Sequence, residues 1–220
     1  MPNNAAQTPA HHSAPSQTPA AASAVPATTR WRVVDYVVTA VLGIGVGLVF
    51  WVLALSWKFL EVAFQAFPPA IGLIAGLWVL AGPLAAVVIR KPGAALLCEV
   101  IAAVVEAVLG SHFGATVLLS GFLQGLGAEL VFAACRYRRF TLGVTSLSGL
   151  VAAAFMAVSE NIMYNAAWQP SFQLVYAGCA LLSGLVISGI GAWFAYRAIA
   201  RTGALSSFAS GRRAPIPGRR

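Results

Sequence analysis

The sequence predicts an all-α integral membrane protein with six transmembrane helices and both termini in the cytoplasm. Three observations carry that prediction. The 220 residues are 59% hydrophobic and only 9% charged, with a mean hydropathy of +0.81, whereas a soluble domain carries about 25% charged residues. The apolar residues form long continuous runs, not the short alternating segments of an outer-membrane barrel. Thirteen of the fourteen lysines and arginines fall on one side of a six-span topology: Arg30, Arg32, Arg90, Lys91, Arg136, Arg138, Arg139, Arg197, Arg201, Arg212, Arg213, Arg219 and Arg220. Only Lys58 falls on the other. Loops rich in lysine and arginine stay cytoplasmic. The same distribution argues against nucleic acid as the partner of a chain of net charge +8, because the basic residues mark topology and do not form a binding face.

Taken in order, residues 1–29 are rich in Ala, Pro, Thr, Ser and Gln and nearly uncharged, which predicts a disordered tail. No apolar stretch follows a basic start there, so a signal peptide is not expected. His11 and His12 read as an incidental solvated pair. The transmembrane domain is expected over 30–202. Its first span runs from about Val33 to Trp57, with Asp35 in the first turn, where an acid complements the helix dipole. Trp51 and Trp57 suit the far interface. Thr39, Gly43 and Gly47 lie four apart on one face. Small residues at that spacing let another helix approach, either within the chain or on a partner subunit.

Residues 58–67 form a short amphipathic link. The second span is predicted from about Pro69 to Ile89, with Trp78 near its middle. There a tryptophan either packs on its neighbours or stacks on a ring. A basic turn at residues 90–93 leads into a short third span, about Ala94 to Leu109, and a loop over 110–114. The fourth span, about Ala115 to Cys135, carries Gly121, Gly125, Gly127 and Ala128, and so small-faced a helix is expected to be central. The fifth covers about Leu142 to Tyr164 and the sixth about Phe172 to Ala200. Residues 203–220 read as a basic cytoplasmic tail. The cysteines Cys98, Cys135 and Cys179 are scattered, with no metal-binding or disulfide spacing.

The informative residues are the acids. Glu99, Glu106 and Glu129, half of the chain's six acidic residues, lie with Gln124 inside otherwise apolar runs. A carboxylate at membrane depth costs a few kcal/mol and usually has a partner or a function. Glu99 and Glu106 are seven apart, on one face of the third helix and about 10 Å apart along its axis. Gln124 falls near mid-membrane. Glu129, five residues on, is deeper and about 140° around the helix, pointing elsewhere unless the helix bends. Glu160 returns to the depth of Glu106. No lysine or arginine lies within a span, which leaves protonation, hydrogen bonds or a cationic guest to satisfy these groups. No metalloprotease, nucleophile-elbow or Walker motif is present, so neither an enzyme nor a cofactor is expected. An organic cation or protons are the expected cargo.

The run RKPGAAL, a glutamate at Glu99, a second at Glu106, and then GFLQGLGAE with Gln124 and Glu129 resembles the YkoE family over about residues 30–208. These are substrate-capture (S) components of energy-coupling-factor (ECF) importers for thiamine or its hydroxymethylpyrimidine precursor. The resemblance implies an S-component bundle in the bacterial inner membrane, with a thiamine-like ligand held by Glu106, Glu99, Gln124, Trp78 and Glu129. It also implies a transmembrane coupling (T) protein and two cytoplasmic ABC ATPases as partners. It favours docking of the coupling protein on Thr39, Gly43 and Gly47 over internal packing. The residue chemistry agrees: a carboxylate neutralises a thiazolium, an amide pairs with an aminopyrimidine, and a tryptophan stacks on either ring. The competing reading is a proton-coupled exporter of small organic cations; a third is a subunit whose polar residues only lock helices together.

Overall fold

The structure is a computed structural model that describes residues 30–205 together with Phe208 and Ser210. The predicted disordered tail, with His11 and His12, and most of the basic tail lie outside the described residues. Helix α1 (Val33–Leu55) crosses the molecule and α2 (Trp57–Ala63) turns back beside it. The second predicted span is a broken rod. It comprises a 3-10 turn (Pro68–Ile71), α3 (Gly72–Ala75), a second 3-10 turn (Gly76–Val79) and α4 (Ala81–Ile89). Then come α5 (Ala94–Val108), α6 (Thr116–Ala134), α7 (Leu142–Met163), α8 (Pro170–Ser183), a π-helical segment (Gly184–Ile190) and α9 (Gly191–Arg201).

Among the described residues, five stretches are long and apolar enough to cross a bilayer: Val33–Leu55, Pro68–Ile89, Thr116–Ala134, Leu142–Met163 and Pro170–Arg201. The predicted third span, α5, has 15 residues. At about 1.5 Å per residue that is roughly 22 Å, short of the ~30 Å hydrocarbon layer. It packs between α1 and α6 and against α4, so neighbouring helices cover it.

The second span breaks because other groups take its backbone. The Gly76 N–H donates to Ser183 Oγ at 2.8 Å, and Ser188 Oγ donates to the Gly76 carbonyl at 2.5 Å. The Gly82 N–H donates to Glu99 Oε2 at 2.6 Å, and Pro83 has no N–H to offer. Glycine is needed where α3 meets α8, since a Cβ on Gly72 would lie 2.7 Å from the Tyr176 carbonyl oxygen. Hydropathy along the chain carries no trace of these long-range acceptors, so it marks a span there and not the break.

The small-residue stripe of α1 faces inward. Thr39, Gly43 and Gly47 are buried. A Cβ on Gly43 would sit 2.7 Å from Ile101 Cγ2, and one on Gly47 would sit 2.7 Å from the Ala102 carbonyl oxygen. The stripe is therefore the seam between α1 and α5. This corrects the expectation of a docking face: the residues that let a helix approach are already occupied by a helix of the same chain. The outer face of α1 instead exposes Val37, Val41, Ile44, Leu48 and Val52, a surface suited to lipid.

The arginine-rich end is closed by polar contacts. Lys91 Nζ pairs with Asp35 Oδ2 at 2.5 Å and also donates to the Arg30 carbonyl, while Arg32 Nη2 pairs with Asp35 Oδ1 at 3.1 Å. Arg90 and Tyr137 adopt left-handed backbone, with φ of 58° and 54°. Arg90 is held there by donation to the Val87 carbonyl and to Tyr196 Oη, each at 3.1 Å. The start of the basic tail packs onto this end. Leu205 and Phe208 are buried, Arg32 lies over the Phe208 ring at 5.8 Å, and Ser210 Oγ donates to the Val88 carbonyl at 2.7 Å.

Candidate functional site

At the opposite end the broken second span, α2, α5, α6, α7 and α8 surround a cavity of about 660 Å³. Pockets for ligands of drug size span roughly 300–1,000 Å³. Of the residues singled out from sequence, Trp78, Glu106 and Gln124 line it together. The 3-10 turn at Gly76–Val79 aims Trp78 inward. Its Nε1–H is buried and has no hydrogen-bond partner within the protein. Ser111 Oγ donates to Glu106 Oε1 at 2.7 Å, fixing the carboxylate from the loop after α5. Gln124 is buried on α6. Gly121, one turn earlier on α6, also lines the cavity.

The other two predicted site residues lie outside this lining. Glu99 is 1% exposed and gives Oε2 to the Gly82 N–H, while its Oε1 has no partner. It fixes the break in the second span that presents Trp78. Glu129 receives the Gly93 N–H at 2.6 Å, the Ala95 N–H at 2.9 Å and the Tyr137 hydroxyl at 2.8 Å. These are orphan donors at the start of α5, and a carboxylate there also complements the helix dipole. Burial, with Glu129 as acceptor beside it, pushes the Tyr137 phenol above its ordinary range and keeps it a donor. The five-residue step from Gln124 to Glu129 turns the two side chains to different surroundings, as helical geometry requires.

Several lining groups were given other roles or none by the sequence. Trp57, expected at the interface, packs edge-on to Trp78 with ring centroids 6.0 Å apart and to Phe113 at 4.9 Å. His112 stacks on Trp57 at 6.2 Å. Glu61 at the rim accepts from Lys58 Nζ at 3.1 Å and Trp57 Nε1 at 2.9 Å. Glu160, Tyr164, Trp168 and Tyr176 also line the cavity. The depth match between Glu160 and Glu106 was the one available signal; its partner Tyr176, sixteen residues on, had none. Among the described residues, three glutamates and one histidine line the cavity, with no lysine or arginine.

The cavity thus offers carboxylates, an amide and aromatic faces to a guest. Residues 34–156 match the family described as ABC-type cobalt transport system, permease component. The chain is 35% identical over 184 residues to YkoE of Bacillus subtilis (strain 168), a protein provisionally named an HMP/thiamine permease; the match covers 83% of this chain and 91% of that one. The chain belongs to the YkoE family. A crystal structure described as an S-component of an ECF transporter superposes with a TM-score of 0.78 at 33% identity, covering 83% of this chain and 92% of the other. The chain is a multi-pass membrane protein and a substrate-capture subunit, a transport component and not an enzyme.

Proposed function

We propose that the cavity captures thiamine or its hydroxymethylpyrimidine precursor, and that the chain delivers it to a transmembrane coupling protein driven by two cytoplasmic ATPases. The observation that carries this reading is the meeting of Glu106, Gln124 and Trp78 in one cavity that no lysine or arginine enters among the described residues. An aminopyrimidine offers an amino donor for Glu106, ring nitrogens for the Gln124 amide and a flat face for Trp78. The relative's provisional substrate supports the same ligand class. In this reading the chain makes six passes, with α5 as the short one, both termini are cytoplasmic, and the cavity opens outward. The arginine-rich end is then the cytoplasmic end, as the charge distribution requires.

Titration calorimetry of the purified protein with thiamine and with hydroxymethylpyrimidine tests the proposal. A charge-assisted hydrogen bond contributes about 1.5–3 kcal/mol. Glu106→Gln is therefore expected to weaken binding roughly ten- to a hundredfold, while the variant stays monodisperse, because glutamine keeps the volume and removes a buried charge. Failure of the parent protein to bind either compound would refute the substrate assignment. Equal affinity of parent and variant would remove Glu106 as the pyrimidine acceptor.

A further inference from the structure

The last span is interrupted between α8 and α9 by the π-helical segment Gly184–Ile190. Such segments are rare and frequently mark functional sites. Ser183 stands at its start and Ser188 within it; both are buried, and neither lines the cavity. Their hydroxyls meet the two polar groups of one residue, Gly76. Ser183 Oγ accepts the Gly76 N–H at 2.8 Å, and Ser188 Oγ donates to the Gly76 carbonyl at 2.5 Å. In an α-helix, residues five apart lie about 140° apart around the axis, and the two hydroxyls would leave on different faces. The i→i+5 repeat of a π-helix stacks them one above the other. The π geometry is thus what lets one helix grip both groups of Gly76. The grip has little room to shift. A Cβ on Gly76 would lie 2.7 Å from Ser183 Oγ, and toward α7 a Cβ on Gly184 would lie 2.5 Å from the Gly149 carbonyl oxygen.

Gly76 opens the 3-10 turn that carries Trp78. Glu99 Oε2, accepting the Gly82 N–H, fixes the other end of the same stretch. Between these points the Trp78 ring enters the cavity lining with no hydrogen bond on Nε1, and it meets the edges of Trp57 at 6.0 Å and Phe113 at 6.2 Å. Its direction is therefore set by the backbone it stands on. We propose that Ser183 and Ser188 are positioning residues for ligand capture: through Gly76 they hold Trp78 as the stacking wall, without touching the ligand. Each hydroxyl replaces a bond that Gly76 gives up where the helix breaks. With one hydroxyl removed, the freed group regains a partner when the second span resumes α-helical bonding. A change from about 120° to about 100° per residue swings Trp78 by roughly 40° relative to Gly76. The inference rests on the thiamine reading and deepens it, by naming what sets the wall on which the ligand stacks.

The test uses the full-length protein in detergent, labelled with fluorotryptophan and read by fluorine NMR, with a Trp78→Phe sample assigning the Trp78 line. Ser188→Ala and Ser183→Ala are each expected to move that line. The lines of Trp31, bonded to the Pro92 carbonyl, and Trp193, packed on Tyr196, are expected to stay in place. Thiamine affinity by calorimetry is expected to fall roughly two- to tenfold, the share of stacking that a misplaced ring forfeits. In a Trp78→Ala background the same serine substitutions are expected to cause no further loss, because they act through the ring. A serine that only stabilises the fold would cost the same in both backgrounds, and that additivity would overturn the proposal. A Trp78 line that stays in place in the serine variants would overturn it too. If Ser188→Ala does not fold, Ser183→Ala carries the same test. The fluorine measurement needs no ligand, so it judges the clamp even where the parent protein binds no thiamine, an outcome that refutes the substrate reading instead.

Discussion

Glu129 and Glu106 are the same residue type in neighbouring helices of one bundle, and they do different work because of what surrounds each. At the arginine-rich end, Glu129 is spent on the backbone donors that open α5 and on Tyr137, and Asp35 is spent on Lys91 and Arg32. At the cavity end, Glu106 is held by Ser111 and Glu160 by Tyr176, each through one oxygen. A carboxylate whose acceptor capacity is used within the protein stabilises the fold. One with an oxygen left over beside a cavity is available to a ligand. Glu99 stands between: it holds the break in the second span through Oε2 and keeps Oε1 unpaired, so it shapes the cavity without lining it.

The sharpest way to break this division is at Glu129. Glu129→Ala strands the amides of Gly93 and Ala95 and the Tyr137 hydroxyl, and leaving a buried donor unsatisfied costs about 1–3 kcal/mol each. A stability loss on the order of 3 kcal/mol or more is expected in an unfolding titration with denaturing detergent. Thiamine affinity of the molecules that remain folded is expected to stay within about twofold. Normal stability with lost binding would place Glu129 in the ligand site and erase the contrast with Glu106.

A smaller effect is expected along the seam of α1 and α5. Gly43→Leu drives a side chain into Ile101, where even a Cβ would be 2.7 Å away, and overpacking of this kind costs about 1–3 kcal/mol. Because Glu106 rides on α5, displacement of that helix is expected to weaken ligand binding together with stability. A Gly43→Leu protein that folds and binds normally but no longer supports uptake would return the stripe to a docking role.

These residues also mark how far the sequence could be read. The all-helical membrane character and the motif around Glu99, Glu106 and Gln124 were legible, because they follow from local composition and helical spacing. The pairing of Trp78 with Glu106 and Gln124 was legible through the family resemblance more than through geometry. The stripe of Thr39, Gly43 and Gly47 announced a close helix contact but carried no information on which helix makes it. The broken second span was hidden because its cause lies in Ser183, Ser188 and Glu99, distant in sequence. Glu129 was assigned to the ligand site by the motif, although its five-residue step from Gln124 already turned it away from the cavity.

The mildest test sets a paired acid against the unpaired ones within a single cavity. Glu61 lines the same space as Glu106 and Glu160, but Lys58 and Trp57 already occupy its oxygens and its side chain is 45% exposed. The hydrogen bond from Lys58 holds the Glu61 carboxyl below its ordinary value. With the folded value depressed, the stabilisation is present above the unfolded pKa of about 4.3 and is lost only as pH falls through the lowered value, so it is constant around neutrality. Solvent screening keeps such a surface pair to about 0.2–1 kcal/mol. Glu61→Gln is therefore expected to shift stability by no more than that and to leave thiamine affinity within about twofold at neutral pH, against the ten- to a hundredfold loss expected for Glu106→Gln. If Glu61→Gln matched Glu106→Gln in the calorimeter, net negative charge at the cavity would govern capture, and the free carboxylate oxygens of Glu106 and Glu160 would not.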